Sequence, residues 1–175
     1  MVSAIPLFVA PAVLDIEASG FGRDSYPVEV GYVLPNGHSY CSLIRPAPGW
    51  THWDPEAERV HRIPRQTAIK HGRDALVVAT HLNERLHGLT VYCDGWAHDY
   101  AWLNVLFEAA GLNPSFKLDN LRALMSDKEA GVWGVLKQQV ATEMRLQRHR
   151  ASSDAKILQS TLLRLRGPLP APPLA

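Results

Sequence analysis

A chain of 175 residues with 46% hydrophobic and 20% charged residues has the size and composition of one globular domain, which excludes a wholly disordered polypeptide. It contains no run of about 18 apolar residues, so neither a membrane span nor a membrane partner is expected. A formal net charge of +1 excludes a broadly basic surface, yet it permits a local positive field that holds a few nucleotides.

The apolar N-terminal stretch lacks a basic region and runs directly into Asp15, so it does not read as a cleaved leader. Ala12 to Ile16 is a short apolar run bordered by acids, the pattern of a buried central strand. Ser19-Gly20-Phe21-Gly22 reads as a turn. Val28 to Leu34 and Ser39 to Ile44 are β-rich, and Pro35-Asn36-Gly37 between them signals a hairpin. From Asp54 the pattern turns helical. Over Asp74 to Leu86, the residues Ala75, Val78, Ala79, Leu82 and Leu86 fall on one side. Thr90 to Cys93 is a strand, His98 to Ala110 a helix stopped by Gly111, and Phe116 to Leu118 a brief strand. Asp119 is expected to cap a helical segment. Val132 to Leu146 and Ser153 to Leu165 are the last helices, the second capped by Ser152 or Ser153.

This order predicts an α/β domain with a mixed sheet over residues 1–166. The proline-rich end, 167–175, is expected to be extended. Cys41 and Cys93 in a domain with an ample core fit two free thiols in a reducing compartment, and the protein is expected to be cytoplasmic.

Three segments carry candidate chemistry. In Asp15-Ile16-Glu17 the two carboxylates sit two apart on a strand and share a face. Burying them unpaired is unfavourable, and a hard divalent cation resolves the conflict; a solvated strand edge is the plain alternative. Asp99 falls in the first turn of a helix just past a strand, where the helix dipole alone would also favour it. His149 precedes Asp154 at the start of the last helix, a pair that also reads as a cap beside an exposed histidine. Asp94 is a rival acid in the same segment.

Together the segments resemble the DEDDh 3′–5′ exonucleases of the ribonuclease-H-like superfamily, the group of oligoribonuclease, ribonuclease T and polymerase proofreading subunits. Asp15-Ile16-Glu17-Ala18-Ser19-Gly20-Phe21 is similar to its first motif. Asp94-Gly95-Trp96-Ala97-His98-Asp99-Tyr100-Ala101-Trp102-Leu103 is similar to its second. His149-Arg150-Ala151-Ser152-Ser153-Asp154-Ala155 matches its third in full. Ala57-Glu58-Arg59-Val60-His61-Arg62-Ile63-Pro64 resembles a further helix-end segment. The departures are Ala18 for Thr or Ser, Asp94 and His98 around the second motif, and Arg62 for a frequent Gly.

The resemblance implies a five-stranded mixed sheet flanked by helices and two ions, Mg2+ or Mn2+. In it Asp15 would bridge both ions, Glu17 and Asp154 would hold the one with the attacking water, and Asp99 the other. His149 would be the general base. The substrate would be the 3′ end of single-stranded RNA or DNA, and the product a nucleoside 5′-monophosphate. Ala18, Ser19, Gly20 and Phe21 would contact the terminal nucleotide, and Trp96 is a candidate for base stacking. The resemblance also allows a homodimer in which one subunit completes the other's substrate site. A non-catalytic nucleic-acid-binding or scaffold domain, and a small-molecule or dinucleotide phosphodiesterase of the same fold, are the rival readings.

Other residues read more plainly. Glu29 is expected to be a supporting or surface strand residue rather than a ligand, and His61 to be structural. His38, His52, His71, His81 and His87 read as surface residues. The pairs His38/Cys41 and Cys93/His98 match no structural zinc spacing. Arg145, Arg148 and Arg150 form a basic cluster that either holds substrate phosphates or is a solvated face.

Overall fold

The computed structural model describes residues 9–146 and 149–167. The tail past Gly167 and Arg148 of the basic cluster lie outside the described residues. The apolar run before the first acids forms β1 (Ala12–Ala18). The hairpin follows as β2 (Pro27–Val33) and β3 (Ser39–Leu43), both antiparallel in sequence to their neighbours. On the other side of β1 lie β4 (Thr90–Cys93) and β5 (Lys117–Asn120), paired in parallel. The sheet order is β3-β2-β1-β4-β5, the expected mixed five-stranded arrangement with β1 at its centre.

Between β3 and β4 run α1 (Pro55–His61), α2 (Arg65–His71) and α3 (Ala75–Leu86). Asp54 caps α1 by accepting the Glu56 amide at 2.8 Å, and Pro55 supplies a first-turn φ suited to a helix. Helix α4 (Trp96–Ala110) joins β4 to β5, and α5 (Asp127–Met144) and α6 (Ala151–Leu165) close the fold.

The strand alternation of β1 decides what each face carries. Leu14 and Ile16 enter an apolar core with Val78, Leu82 and Leu86 of α3 and Leu103, Leu106 and Phe107 of α4. Val13, on the opposite face, packs with Leu158 and Leu162 of α6 and Trp133 of α5. Each such fully buried aliphatic side chain contributes about 1.5–3 kcal/mol of transfer free energy. Asp15 and Glu17 share Val13's parity and therefore face the α6 side.

Several boundaries differ from the sequence expectation. Asp119 is a strand residue of β5 that pairs with Lys117 at 2.6 Å, and Asn120 does the capping, for the 3-10 turn Leu121–Leu124. Helix α5 begins at Asp127, earlier than expected, because Ser126 and Glu129 form a reciprocal capping box. Helix α6 begins at Ala151, with Arg150 as its N-cap and no capping bond from Arg150's own side chain.

Candidate active site

β1 pairs with β4 only through Ala12 and Val13, so its acidic end runs on past the end of β4. The chain turns away from the sheet after Cys93, and α4 starts in the space this leaves. Asp99, in the first turn of α4, is thereby buried beside β1. The Cys93 side chain and the amides of Gly95 and Ile16 favour its charged form, and the Cys93 thiol donates to the Asp119 carbonyl at 3.7 Å. Asp99 thus lies beside the strand's acids, and Asp94 lines the same cleft. Asp94 also pairs with Lys137 of α5 at 2.5 Å.

The third segment arrives from the other face. Gly31 of β2 lies opposite Asp15, and a side chain there would meet the Ser152 amide at 2.2 Å. Only a glycine lets the backbone of α6 rest on the strand this closely. His149 has φ 59, and its amide donates to Asp154 Oδ2 at 2.6 Å. Ligand atoms of Glu17, His149 and Asp154 all fall within 4.8 Å of one another.

The electrostatics of this cluster are unfavourable to bare carboxylates. Burial raises the Asp15 pKa well above its ordinary value, and the charges of Asp99, Glu17, Asp154 and Asp94 add to that rise. Burial pushes Glu17 up to about 8, with Asp154, Glu29 and Asp99 reinforcing it and Arg150 opposing. Burial also pushes Asp99 up to about 7, against the hydrogen bonds it accepts. Among the described residues no lysine or arginine forms an ion pair with Asp15, Glu17 or Asp99. Oxygen donors crowded in this way, with one imidazole, have the chemistry of a site for a hard divalent cation.

A cleft of about 450 Å³ opens from these acids. Its floor holds Asp15, Glu17, Asp99 and His149, and its walls include Ala18, Gly20 and Phe21. Phe21 is 66% exposed, yet its ring meets His98 edge-on at 5.0 Å and Trp102 at 5.9 Å. Trp102 is a packing residue, its indole donating to Ser25 Oγ at 2.9 Å. Ser19 points away from the cleft: it is fully buried, bonds His52 Nδ1 at 3.0 Å and accepts the Tyr26 amide. Trp96 is the first residue of α4, stacks on Tyr100 and donates to the Leu118 carbonyl at 3.3 Å, and is not a wall of the cleft.

Several residues enter the site region that the sequence pattern left plain. His61 lines the cleft from the end of α1, with Nδ1 accepting the Ile63 amide at 3.0 Å, and burial lowers its pKa. His52 supports the Ser19 turn, and His81 bonds the Tyr32 hydroxyl at 3.1 Å and stacks on Tyr40, so neither is a mere surface group. Lys137 lines a smaller polar recess with Asp15, Glu17, His149 and Asp154. Arg150 of the basic cluster is engaged by the buried Glu29. Cys41 and Cys93 are free thiols. No helix among the described residues is long and apolar enough to cross a membrane.

No protein-family model matches the sequence, and no curated protein matches it. Solved structures do. Escherichia coli exonuclease I, in a zinc-bound complex with single-stranded DNA, superposes with a TM-score of 0.68 at 13% identity over 89% of this chain. The same enzyme with a dT13 oligonucleotide gives 0.68 at 11% identity over 89% of this chain. Exonuclease I of Methylocaldum szegediense gives 0.63 at 14% identity, also over 89%. The chain spans 40% of the length of each of these proteins. At such identity the likeness establishes the fold: an α/β domain whose mixed five-stranded sheet is the one found in these exonucleases.

Proposed function

We propose that the chain is a metal-dependent 3′–5′ exonuclease that releases nucleoside 5′-monophosphates from single-stranded nucleic acid. The observation that carries this reading is the convergence of Glu17, His149 and Asp154 within 4.8 Å, where the cleft lined by Asp15, Glu17, Asp99 and His149 meets the recess lined by Asp154. Sharing a fold with exonuclease I supports it, and the complexes of that enzyme with single-stranded DNA make DNA the first substrate to try.

Asp15, Glu17, Asp99 and Asp154 would hold two Mg2+ or Mn2+ ions, which when bound supply positive charge to the phosphate oxygens and acidify a water. His149 would take the proton from the attacking water as a general base. The bond from phosphorus to the O3′ of the preceding nucleotide breaks. The shortened strand keeps a 3′-hydroxyl, and the terminal nucleotide leaves with its phosphate on the 5′ carbon. Ala18, Gly20 and Phe21 line the path of that nucleotide, and the exposed ring of Phe21 offers a stacking surface to its base.

Digestion of 5′-labelled single-stranded DNA and RNA with Mn2+ tests the reading, with Asp15→Ala and His149→Ala run alongside. A ladder that shortens from the 3′ end, absent in Asp15→Ala and strongly slowed in His149→Ala, is the expected result, and the faster polymer names the preference. No shortening of either polymer by a folded, metal-binding protein would refute the exonuclease and leave a small-molecule phosphodiesterase.

A further inference from the structure

Glu29 is fully buried on β2, directly opposite Glu17. Like charges facing each other across a strand pair are unfavourable, and its flanking residues are the fully buried Val28 and Val30. Replacing a buried ion pair with apolar residues of similar volume is often neutral or better for stability. Stability alone is therefore a poor reason for an acid at this position.

The hydrogen bonds of Glu29 show what the acid does. Arg150 Nε donates to Oε1 at 3.0 Å and to Oε2 at 3.1 Å, and Nη2 donates to Oε1 at 2.6 Å. The Ala151 amide donates to Oε2 at 2.9 Å. Both donors directly follow His149 in the chain. His149 itself stands at φ 59, a conformation disfavoured for a residue with a side chain, and its own amide is held by Asp154. Gly31, on the same face of β2, lets the Ser152 amide come into contact with the strand. The turn that carries the imidazole is thus fixed on its N-terminal side by Asp154 and on its C-terminal side by Glu29, with α6 seated on β2 beneath it.

We infer that Glu29 is a positioning residue for His149: through the Arg150 guanidinium and the Ala151 amide it fixes the strained turn that presents the imidazole to Glu17 and Asp154. This rests on the exonuclease reading only for its kinetic arm. Glu29→Gln keeps the shape but loses the charge-assisted fork. On a single-stranded DNA oligomer with Mn2+ it lowers kcat roughly 10²-fold with KM unchanged, the loss expected when a reacting group is misplaced by about 1 Å. In a His149→Ala background the same substitution lowers kcat no further, because the group it positions is gone. Arg150→Lys, which keeps the charge and loses the planar fork, is the second variant and follows the same pattern.

A readout independent of turnover is the imidazole NMR spectrum of the metal-free protein. The His149 resonances move or double in Glu29→Gln and in Arg150→Lys, while those of His38 and His87 stay in place. Unchanged His149 resonances in both folded variants overturn the inference. So does a kcat loss that persists in full in the His149→Ala background, which marks a general structural role. If the wild-type protein digests no polymer, the exonuclease reading fails, and the NMR arm still decides whether Glu29 places the imidazole.

Discussion

On one face of β1, Leu14 and Ile16 lie beneath α3 and α4 in a dry apolar core. On the other, one residue out of step, Asp15 and Glu17 lie beneath α6 with their carboxyl pKa values raised by burial and by neighbouring acids. The first face lowers the free energy of folding, and the second raises it. A strand with a two-residue period can keep the two apart, so that the groups poised for chemistry do not disturb the packing that holds them. Their unfavourable charge is held by the rest of the fold, as is common at functional sites.

The contrast can be broken from either side, and the largest effect lies on the acid face. His149→Ala removes the proton acceptor and lowers kcat on single-stranded DNA by about 10²–10⁴-fold, with the urea midpoint of the metal-free protein little changed. A loss of less than tenfold would remove His149 from the reaction. On the apolar face, Leu14→Ala lowers stability by about 2–5 kcal/mol in urea unfolding, because the fully buried site leaves a cavity when emptied.

Next is a change of opposite sign. Asp15→Asn stabilises the metal-free protein by about 0.5–2 kcal/mol while abolishing turnover, since it removes one charge from a repelling set. The same cause sets the pH dependence. Glu17 titrates in the folded protein at about 8, against an ordinary value of 4.5, so between these the folded state holds more protons than the unfolded. The stability of the metal-free protein therefore falls as pH rises through that window. Asp15→Asn flattens the slope, and stability that rose over the same range would contradict the electrostatic account. The smallest effect belongs to neither face: Asp74→Ala breaks the exposed Arg45 pair at 3.0 Å and shifts stability by less than about 1 kcal/mol.

Much of this was legible in the sequence because the signals are local. The two-residue spacing of Asp15 and Glu17 puts them on one face whatever surrounds them, and Pro35-Asn36-Gly37 specifies its hairpin through a few dihedrals. The start of α5 was legible too, in the Ser126–Glu129 spacing, but the apolar periodicity from Val132 concealed it. What could not be read depends on partners far along the chain. The alternation of β2 puts Glu29 on the α6 side, yet nothing local says that Arg150, 121 residues away, closes on it. That pair holds Arg150, the N-cap residue of α6, against β2. With α4 expected from His98, Trp96 falls before the helix and is free to stack on a base; the helix begins two residues earlier, and the indole donates to the Leu118 carbonyl.

Calorimetric titration of Mn2+ into the wild-type protein and Asp15→Asn, at pH 7.5 in two buffers of different ionisation enthalpy, tests the central claim most directly. The account predicts wild-type binding with proton release, because carboxyls with raised pKa values lose protons to the metal, and binding weakened by Asp15→Asn. Absence of binding to the wild type at millimolar Mn2+ would contradict it.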